Sequence, residues 1–148
     1  MINCAEPYQS NIGTLDDPTR VARILVVDDD EAIRKLHAAM LTLEGYEVEM
    51  AEDGADALEQ LADGHFDLVI TDRQMPVLDG ERLVLALRSS GIRIPVVMVS
   101  GSLAFSPLCA EVAREISASL SKPIRLAEVI AAVSTALKSL EHEFRAAA

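Results

Sequence analysis

Ile24-Leu25-Val26-Val27-Asp28-Asp29-Asp30 runs four aliphatic residues straight into three acids. Other short apolar runs end in the same way, in a reactive side chain. Leu68-Val69-Ile70-Thr71 leads into Asp72, Val96-Val97-Met98-Val99 into Ser100, and Leu120 stands just before Lys122. Runs that are nearly all apolar, rather than alternating, fit strands covered by helices on both faces, as in a parallel sheet. The carboxyl ends of such strands converge on one crevice. Three carboxylates, a hydroxyl and an ammonium would meet there, a set suited to a divalent cation and a phosphoryl group.

Working outward, the chain alternates strand and helix. The spacing predicts strands over 24–28, 46–50, 66–71, 94–99 and 117–120, and helices over 31–44, 54–63, 80–89, 107–115 and 125–141. Ile33, Leu36, Met40 and Leu43 share one face of the first helix, which is the expected core face. Leu126, Val129, Ile130, Val133, Leu137 and Leu140 form a long stripe on the last. Gly45 and Gly64 are placed to end helices, and Ser106-Pro107 reads as an N-cap followed by a first-turn proline. Five βα units with short connections imply an α/β fold built on a doubly wound, five-stranded parallel sheet.

At 148 residues the chain is of single-domain size. Residues 1–22, with Pro7, Gly13 and Pro18, read as a flexible N-terminal arm, 23–141 as the domain, and 142–148 as a C-terminal tail. Half of the residues are apolar but only 3% are aromatic, so the core must be aliphatic. A net charge of −11 with 13 scattered basic residues argues against direct nucleic-acid binding. Cys4 and Cys109 lack any zinc or redox spacing. No apolar segment approaches the roughly 20 residues that a membrane span needs. The expectation is a soluble cytoplasmic protein without membrane contact.

Asp28, Asp29 and Asp72, held within a few Å, would repel one another unless a cation relieved them. Magnesium fits, because it takes one or two carboxylates and is often completed by a phosphate oxygen. An adjacent Asp pair equally suits helix capping, and Asp30 is read as such a cap. Asp72 stands alone at a strand end and opens Asp72-Arg73-Gln74-Met75-Pro76-Val77-Leu78-Asp79-Gly80. It has the position of a nucleophile toward phosphorus, or of a turn residue. Lys122 precedes Pro123, a candidate cis peptide, and its ammonium can pair with an aspartate or a phosphoryl oxygen. Ser100 is a hydrogen-bond donor on a loop freed by Gly101. His37, His65 and His142 lie apart and are read as structural or solvated.

Taken together, Val26-Val27-Asp28-Asp29-Asp30, Asp72 with Met75-Pro76 and Asp79-Gly80, Ser100, and Lys122-Pro123 closely resemble the receiver domains of two-component response regulators. The resemblance implies a flavodoxin-like sheet of order 2-1-3-4-5. It implies that Asp72 is the phosphoacceptor, taking a phosphoryl group from a phosphohistidine on a sensor histidine kinase or histidine phosphotransfer protein. Asp28, Asp29, Asp72 and the backbone carbonyl of Gln74 would hold Mg²⁺, and Ser100 and Lys122 would contact the phosphoryl group. Gln74 and Ser102 match positions that tune hydrolysis of the acyl phosphate.

The departures concern signalling. Ser119 stands where many receivers carry an aromatic switch residue, and Glu115-Ile116 replaces a small Gly-Ala pair. The loop from Ser100 to Ser106 is therefore expected to report through backbone and aliphatic packing. The expected role is a stand-alone phosphorylation-controlled binding module. It would present the fourth helix, fifth strand and fifth helix to a protein target or a second copy. A phosphate shuttle or sink is one alternative. A magnesium-dependent aspartyl phosphohydrolase is another, although those enzymes carry Asp-x-Asp after the first strand. As a receiver it would be no enzyme beyond its own phosphorylation and dephosphorylation.

Overall fold

Three aspartates start three helices, and they do so with their side chains. Asp30 Oδ1 accepts from the backbone N–H of Ala32 at 2.9 Å and of Ile33 at 3.2 Å, opening α1 (Glu31–Leu43). Asp53 caps α2 (Gly54–Asp63) through the Asp56 N–H at 2.8 Å, and Asp79 caps α3 (Gly80–Ser89) through that of Arg82 at 2.9 Å. Each satisfies donors that the first helical turn leaves unpaired. Gly45, at φ 95°, takes the left-handed position that ends α1.

The computed structural model describes residues 20–101 and 108–146. Most of the expected arm, together with Ser102 and Ser106-Pro107, lies outside the described residues. Strands β1 (Arg23–Val27), β2 (Glu47–Ala51), β3 (Leu68–Asp72), β4 (Val96–Ser100) and β5 (Ala118–Ser121) form one parallel sheet in the order 2-1-3-4-5. This is the strand order of the flavodoxin-like sheet that the resemblance implied. Register aligns the carboxyl ends: Val27 lies beside Thr71, Asp72 beside Val99, and Ser100 beside Ser121.

Central strands β1, β3 and β4 are buried on both faces, as their unbroken apolar runs require. Edge strands β2 and β5 are instead largely half-buried or exposed, because a helix layer covers them incompletely. One core cluster packs Leu25, Val69 and Met98 against Leu61 of α2, Leu83 and Leu87 of α3 and Val112 of α4 (Ala110–Glu115). The opposite cluster packs Ile24, Ile70 and Val97 against Leu41 of α1 and Val129, Val133 and Ala136 of α5 (Leu126–Ala146). Each such fully buried aliphatic side chain contributes roughly 1.5–3 kcal/mol of transfer free energy.

Several boundaries differ from expectation for local reasons. β3 starts at Leu68 because the Asp67 carboxylate binds Arg20 Nη2 and the Arg23 N–H, both at 2.7 Å. β4 starts after Pro95, whose nitrogen has no hydrogen to give a ladder. α4 begins at Ala110 rather than 107, and α5 continues to Ala146, past the expected end at 141.

The face of α1 also differs. Its buried residues are His37, Ala38 and Leu41, whereas Leu36 and Leu43 are exposed, at 59% and 86%. At about 100° per residue, the docked face lies about a third of a turn from the Ile33-Leu36-Met40-Leu43 stripe. On α5 the expected stripe holds better, with Val129 and Val133 buried and only its first member, Leu126, exposed. Among the described residues, no helix is long and apolar enough to cross a membrane.

Candidate functional site

Asp28 follows the last residue of β1 and is 2% exposed. Its Oδ1 accepts the Asp30 N–H at 2.9 Å, and its own N–H donates to the Ala51 carbonyl at 3.2 Å. Arg34 Nη1, one turn into α1, donates to the Asp28 carbonyl at 2.7 Å and ties the strand end to the helix. Asp72 closes β3 and is 9% exposed; Asp29, exposed, stands at the rim. One oxygen from each of Asp28, Asp29 and Asp72 lies within 4.8 Å of the others.

Into this cluster projects Lys122, from just past β5. Its Nζ lies 3.1 Å from Asp72 Oδ2 and 3.8 Å from Asp28 Oδ2. The Lys122 backbone N–H donates to the Ser100 carbonyl at 2.9 Å, extending the β4–β5 ladder by one rung. The Lys122-Pro123 peptide is cis, as the sequence suggested. Ser100, last in β4, is buried at the same level of the sheet.

Packing carboxylates together has an electrostatic cost that one ammonium only partly offsets. Burial pushes the Asp28 carboxyl above the ordinary value of 3.8, and the nearby charges of Asp72 and Asp29 push the same way. The Asp30 N–H and Lys122 oppose them. On the buried side of α1, desolvation holds the His37 imidazole below its ordinary 6.5, and Lys122 adds to the effect. His37 is thus a core residue that favours the neutral form.

The loop after Asp72 is braced at both ends. The Gly80 N–H donates to the Arg73 carbonyl at 2.9 Å, and a Cβ at Gly80 would have no room against the Asp72 carbonyl oxygen. The Gly54 N–H donates to the Leu78 carbonyl at 3.2 Å, and there too a side chain would not fit. Between these anchors Gln74 is exposed, and Val77 sits at φ 70°, a region a β-branched residue rarely adopts. Ser119 is exposed, and Ser102 lies outside the described residues.

Asp28, Asp29, Asp72 and Lys122 therefore lie together, with Ser100 at the end of the adjoining strand β4. Two basic residues escaped the sequence reading. Arg34 gave only a helical spacing signal, and Arg73 carried none, since burial of a charged residue beside Asp72 is invisible in one dimension. Arg73 is 5% exposed, with Nε 3.5 Å from Glu81 Oε2.

Residues 24–134 match the model of the response regulator receiver domain. The response regulator MprA of Mycobacterium sp. (strain KMS) is 37% identical over 116 residues, covering 78% of this chain and 50% of that protein. The chain thus spans about half the length of the curated relatives it matches. A CheY-like receiver domain protein from Methanospirillum hungatei JF-1 superposes with a TM-score of 0.74 at 26% identity, covering 84% of this chain and 99% of that one. TrrA from Thermotoga maritima, a response regulator solved in complex with Mg(2+)-BeF, superposes with a TM-score of 0.70 at 31% identity, covering 78% and 99%.

Proposed function

The chain belongs to the response regulator receiver-domain family, and on that premise we propose that Asp72 is its phosphoacceptor. Receiver domains of this family typically signal rather than catalyse turnover. The observation that carries the proposal is the convergence of Lys122 Nζ and three carboxylates on one crevice, 3.1 Å from Asp72 and 3.8 Å from Asp28.

An Asp72 carboxylate oxygen attacks the phosphorus of a phosphohistidine on a sensor histidine kinase or histidine phosphotransfer protein. The O–P bond forms, the P–N bond breaks, and the leaving imidazole takes up a proton. In this reading Lys122, whose ammonium lies beside Asp72, would neutralise charge on a phosphoryl oxygen, and the Ser100 hydroxyl would donate to another.

The donor set fits Mg²⁺: hard carboxylate oxygens, one of them on an Asp28 that burial and neighbouring acids disfavour as an anion. Asp28, Asp29, Asp72 and the Gln74 carbonyl would hold the ion. When bound, it supplies positive charge to balance the carboxylates and the equatorial phosphoryl oxygens. The Mg(2+)-BeF complex of TrrA supports this assignment by likeness.

Gln74 and Ser102 are the residues proposed to tune hydrolysis of the acyl phosphate. The phosphorylated domain then offers α4, β5 and α5 to a cytoplasmic protein target or to a second copy. A lone Asp after the third strand favours this over a phosphohydrolase. Mass spectrometry after incubation with acetyl phosphate or phosphoramidate and Mg²⁺ tests the reading. One phosphoryl adduct is expected on the parent and none on Asp72→Asn; an unmodified parent would overturn it.

A further inference from the structure

We infer that Glu81 is a positioning residue that couples the phosphoacceptor to the start of α4, an inference that rests on the receiver reading above. Glu81 is the second residue of α3, and its carboxylate bridges two elements. Oε2 lies 3.5 Å from Arg73 Nε, and Oε1 accepts the Cys109 backbone N–H at 3.1 Å. Cys109 is the N-cap of α4 and makes no side-chain capping bond of its own. A carboxylate from α3 therefore holds the residue on which α4 begins, a helix only six residues long.

The other end of the bridge reaches Asp72 without slack. Arg73 follows Asp72 in the chain, and its N–H donates to the Val99 carbonyl at 2.8 Å while its carbonyl accepts from Gly80 at 2.9 Å. Gly80 itself is pressed against the Asp72 carbonyl with no room for a methyl group. A displacement of the Asp72 backbone on esterification must pass to Gly80, and the neighbouring residue is Glu81. The guanidinium of Arg73, buried beside it, orients the carboxylate by charge.

This connection needs no aromatic ring, which Ser119 cannot supply. It gives the receiver a route from Asp72 to α4 that runs through the start of α3. Loss of the bridge removes the acceptor that Glu81 gives the Cys109 N–H.

Hydrogen exchange of the Cys109 and Ala113 amides, read by NMR on the full chain with and without acetyl phosphate and Mg²⁺, tests the inference, with mass spectrometry on the same samples. In the parent, phosphorylation is expected to change protection at these amides. Glu81→Ala should lower resting protection about fivefold to tenfold and shrink the phosphorylation-dependent change to within about twofold. Glu81→Gln, which keeps an acceptor oxygen, should restore resting protection. Resting protection unchanged in Glu81→Ala would overturn the inference, as would a full phosphorylation response in that variant. An adduct-bearing parent with no response at these amides would do the same. A parent that gains no adduct removes the phosphoacceptor reading itself, and this inference with it.

Discussion

Lys122 Nζ lies 3.1 Å from Asp72 Oδ2, and the same residue's backbone N–H holds the Ser100 carbonyl at 2.9 Å. One residue thus joins the end of β3 electrostatically and the end of β4 by a ladder bond. Its ammonium is the cation within 4 Å of the buried Asp28 and Asp72 carboxylates among the ion pairs of the described residues.

Lys122→Met should therefore destabilise the metal-free protein by about 1–3 kcal/mol, because it leaves buried carboxylates without a counter-charge. Magnesium should bind this variant more tightly than the parent and recover more stability in it. Urea denaturation in EDTA and in excess Mg²⁺ gives both numbers; equal stabilisation by Mg²⁺ in the two proteins would refute the electrostatic account.

The raised Asp28 pKa has a definite sign in stability. A folded chain that holds this proton more tightly than the unfolded chain loses stability as pH rises from about 3.8 through the folded value. Without metal, Asp28→Asn should flatten that part of the pH profile and leave the variant more stable than the parent at neutral pH. The Asn Oδ1 still accepts the Asp30 N–H, so helix entry survives. Denaturation midpoints in EDTA across pH 4–7 provide the check.

On α1, exposure and burial separate residues of equal hydrophobicity. Leu41→Ala should cost about 2–5 kcal/mol, since it opens a cavity under the helix. Leu36→Ser should stay within about 0.5 kcal/mol of the parent. Reversal of that order in thermal or urea unfolding would mean that the helix docks on the other face.

Val77, 78% exposed at φ 70°, makes no core contact that would justify its left-handed backbone. Val77→Asn should stabilise the domain by about 1 kcal/mol, as the left-handed penalty is relieved. Phosphorylation of Asp72 should proceed in this variant. The unfolding free energy measures the first effect and the mass adduct the second.

How much of the site could be read in advance depended on chain direction and strand ends. Asp28, Asp29, Asp72, Ser100 and Lys122 each terminate or closely follow an apolar run, and parallel strands must bring such positions to one edge. Periodicity was less informative on α1. Both the Leu36 stripe and the His37-Ala38-Leu41 face repeat helically, and the packing of Leu41 against the sheet residues selects the second.

The sequence by itself determined the succession of strands and helices, the Asp30 cap and which residues stand at the carboxyl ends of the strands, because these follow from local pattern and parallel connectivity. Tertiary structure alone decided the azimuth of α1, the burial of Arg73 and the bridge from Glu81 to Cys109. The last two depend on contacts between residues 8 and 28 positions apart, whose strength is set by distance and exclusion of water rather than by neighbours along the chain.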